Sequence, residues 1–226
     1  MRALGHIDNG VYIDVGAQHP RIDSVSRAFY EKGWRGVHVE PVPAYALQLQ
    51  NDRPNEKVVQ AALGKNIGST PFFFIAETGL STSVQHIADE HSTRGFSVEL
   101  TEVEQTTLAA IFDIAGPVIH WLKIDVEGSE LAVLQGWKRH PARPWIVLVE
   151  STMPLSETPT HQSWESFLIR RGYRFVYFDG LNRFYLHKSH IDLKVAFSHG
   201  PCVFDDFALS GLASAPFCAH VLSKAS

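Results

Sequence analysis

The chain of 226 residues has only two cysteines, Cys202 and Cys218, both near its end. A disulfide-stapled secreted fold needs more of them, so the sequence reads as a reduced, cytoplasmic protein held together by its core. No run of about 18 apolar residues occurs, which leaves no direct membrane span. Met1 to Gly10 is mixed and polar, without the apolar segment of a signal peptide. Charge of one sign is scarce as well. The net charge is −4, so no overall basic field exists to hold a polyanionic backbone, which argues against nucleic acid as a partner. The 12 histidines form no His-x-x-x-His or His-Glu-x-x-His pair of zinc-site type. What remains is an ordinary globular composition, 45% hydrophobic and 19% charged, enough for one α/β domain.

The apolar runs place the elements. Residues 11–15 are apolar and β-branched and end in a glycine, which predicts a buried strand. A helix is expected over 25–32, with Asp23 or Ser24 as its cap and Gly33 as its stop. A strand over 35–40 is ended by Pro41 and Pro43, a helix follows at 44–51, and a third strand spans 57–63. Strands at 70–75 and 96–103 with a polar stretch at 79–91 between them suggest an inserted hairpin or lid. The alternation then resumes: helix 106–113, strand 119–124, helix 129–135, strand 146–150 and helix 163–171. Two adjacent strands, 173–178 and 183–187, close the series around the turn Asp179-Gly180-Leu181-Asn182. Alternation of this kind predicts a doubly wound, mostly parallel seven-stranded α/β sheet, and the terminal hairpin adds antiparallel strands at its edge. The domain is expected over 1–200, with an irregular tail over 201–226.

Open parallel sheets bind ligands at the carboxyl ends of their strands. The first strand ends in Asp14-Val15-Gly16-Ala17. A dinucleotide site needs Gly-x-Gly-x-x-Gly to seat a pyrophosphate, but His19-Pro20 stands where the later glycines would fall. The pattern therefore points to an adenosine group without phosphates, and S-adenosylmethionine is such a ligand. Glu40 ends the second strand, where an acid can accept both ribose hydroxyls. Contacts to the cofactor are expected from Asp14, Gly16, Ala17, Gln18 and Ser24, then from Glu40, Pro41 and Val42, from Ala61 and Ala62, and from Asp125 and Val126.

A second cluster, Lys123-Ile124-Asp125-Val126-Glu127-Gly128-Ser129-Glu130, starts at the end of a buried strand. Ionised groups at the rim of a buried strand must be paired, solvated or used. Glu150 ends the next strand, so Asp125 and Glu150 are expected to face one crevice. Two uses stay open. Asp125, Glu127, Glu150 or His120 can take the proton of an acceptor hydroxyl, or Asp125 and Glu150 can hold Mg²⁺. Glu127 and Glu130 also suit the first turn of a helix on electrostatic grounds alone.

The segments Tyr12–Ala17, Gly36–Pro41, Leu122–Glu130 and Arg143–Glu150 resemble those of the FkbM-type methyltransferases, over roughly residues 11–190. The resemblance implies transfer of a methyl group from S-adenosylmethionine to a hydroxyl, often on a sugar, a polysaccharide end or a polyketide. Many members carry Asn and a further Gly after Gly-Ala, where this chain has Gln18-His19-Pro20. With the segments 23–26 and 179–185, the chain looks like a subgroup tied to bacterial surface glycan assembly, sometimes fused to glycosyltransferase domains. A sugar or polysaccharide acceptor is then expected, with a glycosyltransferase as partner or fusion. Asp179, Asn182, Arg183 and Tyr185 are its candidate contacts, offering polar groups and an aromatic face. A nicotinamide-dependent oxidoreductase on a sugar nucleotide and a non-catalytic docking module are the rival readings.

Overall fold

The computed structural model describes residues 1–76, 78–202 and 205. Most of the tail expected from 201 on, Cys218 included, lies outside them. The first half of the chain runs β1 (Val11–Val15), α1 (Arg27–Glu31), β2 (Arg35–Val39), α2 (Pro43–Asp52), β3 (Lys57–Val59), β4 (Ala62–Leu63), β5 (Gly68–Phe74), α3 (Gln85–Thr93) and β6 (Glu99–Thr106). The second half runs α4 (Leu108–Ala115), β7 (Trp121–Ile124), α5 (Glu130–Gln135), β8 (Ile146–Glu150), α6 (Glu165–Arg170), β9 (Tyr173–Phe178) and β10 (Asn182–His187). A 3₁₀ stretch, Lys188–Phe197, follows.

Seven strands form the main sheet in the order β3-β2-β1-β7-β8-β10-β9. The pairs from β3 to β8 are parallel, and β10 pairs antiparallel with both β8 and β9. This is the doubly wound sheet with an antiparallel edge that the element order implies. β1, β7 and β8 are almost wholly buried, which is why they read as continuous apolar runs rather than alternating ones. Side chains alternate between two cores. Tyr12, Trp121, Ile146, Leu148 and Leu186 pack on one face, with Leu4 and Trp34. Ile13, Leu122, Ile124, Val147, Val149 and Tyr185 pack on the other, with α4, α5 and Trp137.

Helix ends follow local chemistry. Pro43 opens α2 at a position where its missing N–H costs nothing. The Thr107 hydroxyl accepts the Ala110 N–H to cap α4, and Gly116 ends it at φ 91°.

Three elements depart from expectation. The third strand is two: β3 stays at the edge of the main sheet, and β4 leaves it to pair in parallel with β6. Together β4, β6 and β5 make a separate three-stranded sheet, the inserted hairpin in fuller form. The polar stretch at 79–91 contains the start of α3, which buries Ile87, Ala88 and His91. Its apolar stripe is too thin to stand out from the sequence.

Candidate active site at the carboxyl ends of the strands

β1 sends the chain to β2 on one side, while β7 lies on the other, so the strand order reverses at β1. The ends of β1, β2 and β7 meet there. The Gly16 and Ala17 N–H groups donate to the Val39 carbonyl at 3.0 and 3.3 Å, and the Asp125 N–H donates to the Val15 carbonyl at 3.2 Å. Gly16 has φ 73°, and a Cβ on it would lie 1.8 Å from the Asp125 carbonyl oxygen. Only glycine lets the first and fourth loops of the main sheet close on each other here.

The crevice above this junction is lined by Gly16 and Gln18, by Glu40, Pro41, Val42 and Tyr45, by Ala61, Ala62 and Leu63, and by Asp125, Val126, Glu127 and Ser129. Glu40 is 4% exposed. Its Oε2 accepts the Gln18 N–H at 2.8 Å and its Oε1 accepts the Val42 N–H at 2.8 Å. Each oxygen keeps a lone pair for a ligand hydroxyl. Burial pushes the carboxyl up to about 7, against the pull of these two N–H groups. Val42, Ala61, Leu63 and Phe72 supply apolar surface for a base. Among the described residues no lysine or arginine lines the crevice, as suits an adenosine group without phosphates.

The insertion forms a wall of the same crevice. Thr78, Gly79, Ser81 and Ser83 line it. The Thr82 hydroxyl donates to the Glu127 carbonyl at 2.7 Å, and the Ser83 and Ser129 hydroxyls lie 2.6 Å apart. Phe72, Thr78 and Gly79 were not readable as site residues, because only the folding-over of the insertion brings them there, and Tyr45 joins them from the first turn of α2.

Asp14, Ala17 and Ser24 are not among the lining residues. Asp14 is one residue short of the strand end and points below it. It lies 3.8 Å from the Lys123 ammonium and 3.9 Å from His38, 2% exposed. Ser24 holds the buried Arg53 guanidinium, whose NH2 group donates to the Ser24 hydroxyl and to the Pro20 carbonyl, both at 2.7 Å. Arg53 thus ties the polar loop after β1 to the end of α2.

The expected carboxylates converge. Asp125, Glu127 and Glu150 each bring an oxygen to within 4.8 Å of the others'. Glu127 reaches the group because it adopts φ 49°, and Gly128 follows at φ 98°. Glu130 accepts the Gly128 N–H at 3.1 Å and the Val126 N–H at 3.4 Å, so it clamps the loop. Lys123 lies beside them, 3.0 Å from Asp125 Oδ2. Burial lowers the Lys123 ammonium, but Asp125 and Asp14 together hold it above its usual value. Burial, then the charge of Asp125, pushes Glu127 up to about 8 and Glu150 up to about 11.

His120 belongs elsewhere. It precedes β7 and so sits at the amino end of the sheet, roughly 15 Å of strand away from Asp125. Its Nδ1 accepts the Val11 N–H at 2.9 Å, and its ring packs between Trp34 and Trp145. It can take no proton at the crevice.

The four candidate acceptor residues split by strand alternation. Asn182 lies opposite Glu150 in the β8–β10 pairing. The Asp179 carboxylate accepts the Leu181 and Asn182 N–H groups at 2.9 and 2.6 Å and so shapes the turn. Asp179 and Asn182 line a second cavity with Phe29, Trp121, Leu148 and Phe184. Arg183 and Tyr185 point to the other face. The Tyr185 hydroxyl donates to Glu165 at 2.8 Å from a fully buried ring, and Arg183 bonds Glu165 at 3.1 Å. Neither ring nor guanidinium is free to meet a sugar.

The crevice lies at the switch point of a doubly wound sheet, where open α/β folds bind their ligands. The chain belongs to the FkbM methyltransferase family: the model of the methyltransferase FkbM domain matches residues 14–175, well over half of its length. No curated protein matches it. Among solved structures it is similar to a TehB-like SAM-dependent methyltransferase from Corynebacterium glutamicum ATCC 13032 Kitasato, with a TM-score of 0.45 and 9% identity over 80% of this chain and 82% of that one. No helix among the described residues is long and apolar enough to cross a membrane.

Proposed function

We propose that this methyltransferase acts in the cytoplasm on a hydroxyl of a sugar or polysaccharide during surface glycan assembly, with the acceptor delivered by a glycosyltransferase as partner or fused domain. The observation that carries the reading is the carboxylate group at the crevice, where Glu127 Oε2 has no hydrogen-bond partner. S-adenosylmethionine, when bound, supplies a methyl group on a positively charged sulfur, so the acceptor needs a hydroxyl oxygen in line with the carbon–sulfur bond and a group to take its proton. Glu40 holds the ribose hydroxyls through the lone pairs its two backbone bonds leave open. Asp125 and Val126 line the crevice next to Glu127. Glu127, whose Oε2 is free of hydrogen bonds, would take the proton of the acceptor hydroxyl as the methyl group is transferred. The second cavity supports a sugar acceptor: Phe184 is part of its apolar lining, Asp179 and Asn182 offer hydrogen bonds, and Asn182 adjoins Glu150.

The test is transfer of isotope-labelled methyl from S-adenosylmethionine to a panel of free, nucleotide-linked and oligomeric sugars. Label in a base-stable ether on a sugar is expected. Label confined to nitrogen or carboxyl acceptors would refute O-methylation.

A further inference from the structure

We propose that Asp125, Glu127 and Glu150 form a divalent cation site, suited to Mg²⁺, at the ends of β7 and β8 beside the cofactor crevice. Three carboxylate oxygens, one from each residue, lie within 4.8 Å of one another. Octahedral Mg²⁺ with bonds of about 2.1 Å places its ligands about 3 to 4 Å apart, so small side-chain rotations close the set. All three donors are hard oxygens, which suit Mg²⁺ or Mn²⁺ and not a thiolate- or imidazole-seeking metal.

A cluster of acids alone does not make a site. Here a second observation points to a ligand: Glu150 is 5% exposed, and its Oε2 has no hydrogen-bond partner. With Asp125 and Glu127 beside it, this buried acid can ionise only against their charge, and a cation among the three oxygens relieves that repulsion. Lys123 does not, for it is engaged with Asp125 Oδ2 at 3.0 Å and with the Gly16 carbonyl at 3.3 Å. The fourth acid, Glu130, is spent on backbone N–H groups of the loop. Glu150 comes from β8 and the other two from the loop after β7, so the site exists only once the strands pair.

The position gives the cation a purpose. Asp125 and Glu127 line the cofactor crevice, and Glu150 lies opposite Asn182 of the acceptor cavity. A cation held by three carboxylates keeps open positions, which an acceptor hydroxyl oxygen can fill. This role rests on the methyl-transfer reading, whereas the site itself does not.

The experiment is a Mn²⁺ titration of the EDTA-treated full chain, with free Mn²⁺ read by electron paramagnetic resonance and Mg²⁺ added as competitor. One Mn²⁺ per chain is expected, displaced by Mg²⁺. Affinity should fall at least about tenfold in Glu150→Gln and in Asp125→Asn, with no change in the control Glu104→Gln on exposed β6. Circular dichroism of each variant confirms that it folds, and two independent variants guard against the loss of either. No bound Mn²⁺ at about 1 mM, or equal binding in Glu150→Gln and wild type, would overturn the proposal. Titration with S-adenosylhomocysteine in EDTA separates the two claims. Binding of that product without Mn²⁺ binding removes the cation site alone. Mn²⁺ binding without product binding removes the methyl-transfer reading and leaves the site standing.

Discussion

Glu40→Gln puts the cofactor crevice under direct strain. The amide keeps the volume but exchanges one oxygen for an NH₂ group. Both oxygens of Glu40 accept backbone N–H bonds at 2.8 Å, from Gln18 and from Val42, so the new NH₂ must face one donor. Leaving that N–H unsatisfied costs about 1–3 kcal/mol of stability. The ribose hydroxyl on the same side loses a charged acceptor, worth about 1.5–3 kcal/mol of affinity. At 1.4 kcal/mol per decade, S-adenosylhomocysteine should bind roughly 10- to 100-fold more weakly, as read by isothermal titration at pH 8. Stability carries a second, pH-dependent part. The folded-state value of Glu40 is raised from 4.5 to about 7, so the group favours folding below 4.5 and loses that contribution as pH rises through about 7. The difference amounts to about 3 kcal/mol. Glutamine does not ionise. The variant should therefore melt below wild type at pH 5 and approach or pass it at pH 8. Product affinity that stays within about threefold of wild type, or a melting difference equal at the two pH values, would refute the assignment of Glu40.

Gly16→Ala forces a side chain into φ 73° and onto the Asp125 carbonyl. A cost of about 2–5 kcal/mol follows, seen as a fall in Tm of roughly 5–15 °C in a thermal melt. Arg53→Met strips the loop after β1 of its bonds to Pro20, Ser24 and Ser26. It should cost about 3–5 kcal/mol by denaturant unfolding, speed proteolysis between residues 17 and 26, and weaken product binding through Gln18. His120→Ala orphans the Val11 N–H and should lower stability by about 1–3 kcal/mol, while calorimetry finds product affinity unchanged. Lost affinity with an unchanged melt would return His120 to the site.

Much of the fold was legible because a parallel strand buried on both faces leaves a short apolar run bounded by turn residues. β1, β2, β7 and β8 carry that mark within a residue or two. Glu40 and the run from Lys123 to Glu130 stood out for the same reason, as charges directly after apolar strands. The helix at Gln85–Thr93 did not, because two small stretches of apolar surface suffice to seat it on the insertion. The split of β3 from β4 did not either, since both halves are equally apolar and only their partners differ.

Sequence by itself determined the alternation of strand and helix, the antiparallel edge, and an acid at the end of the second strand. These rest on local periodicity and on turn chemistry, which neighbouring residues settle among themselves. The tertiary structure alone decided which end of a strand and which face of the sheet each side chain occupies. Pairing across distant segments put His120 at the far end of β7 and turned Tyr185 into the core opposite Asn182. The same pairing brought Glu150 to Asp125 and Glu127, and folded the insertion over Glu40's crevice. A period-two strand fixes which residues share a face, but only the register and the crossovers fix which face that is.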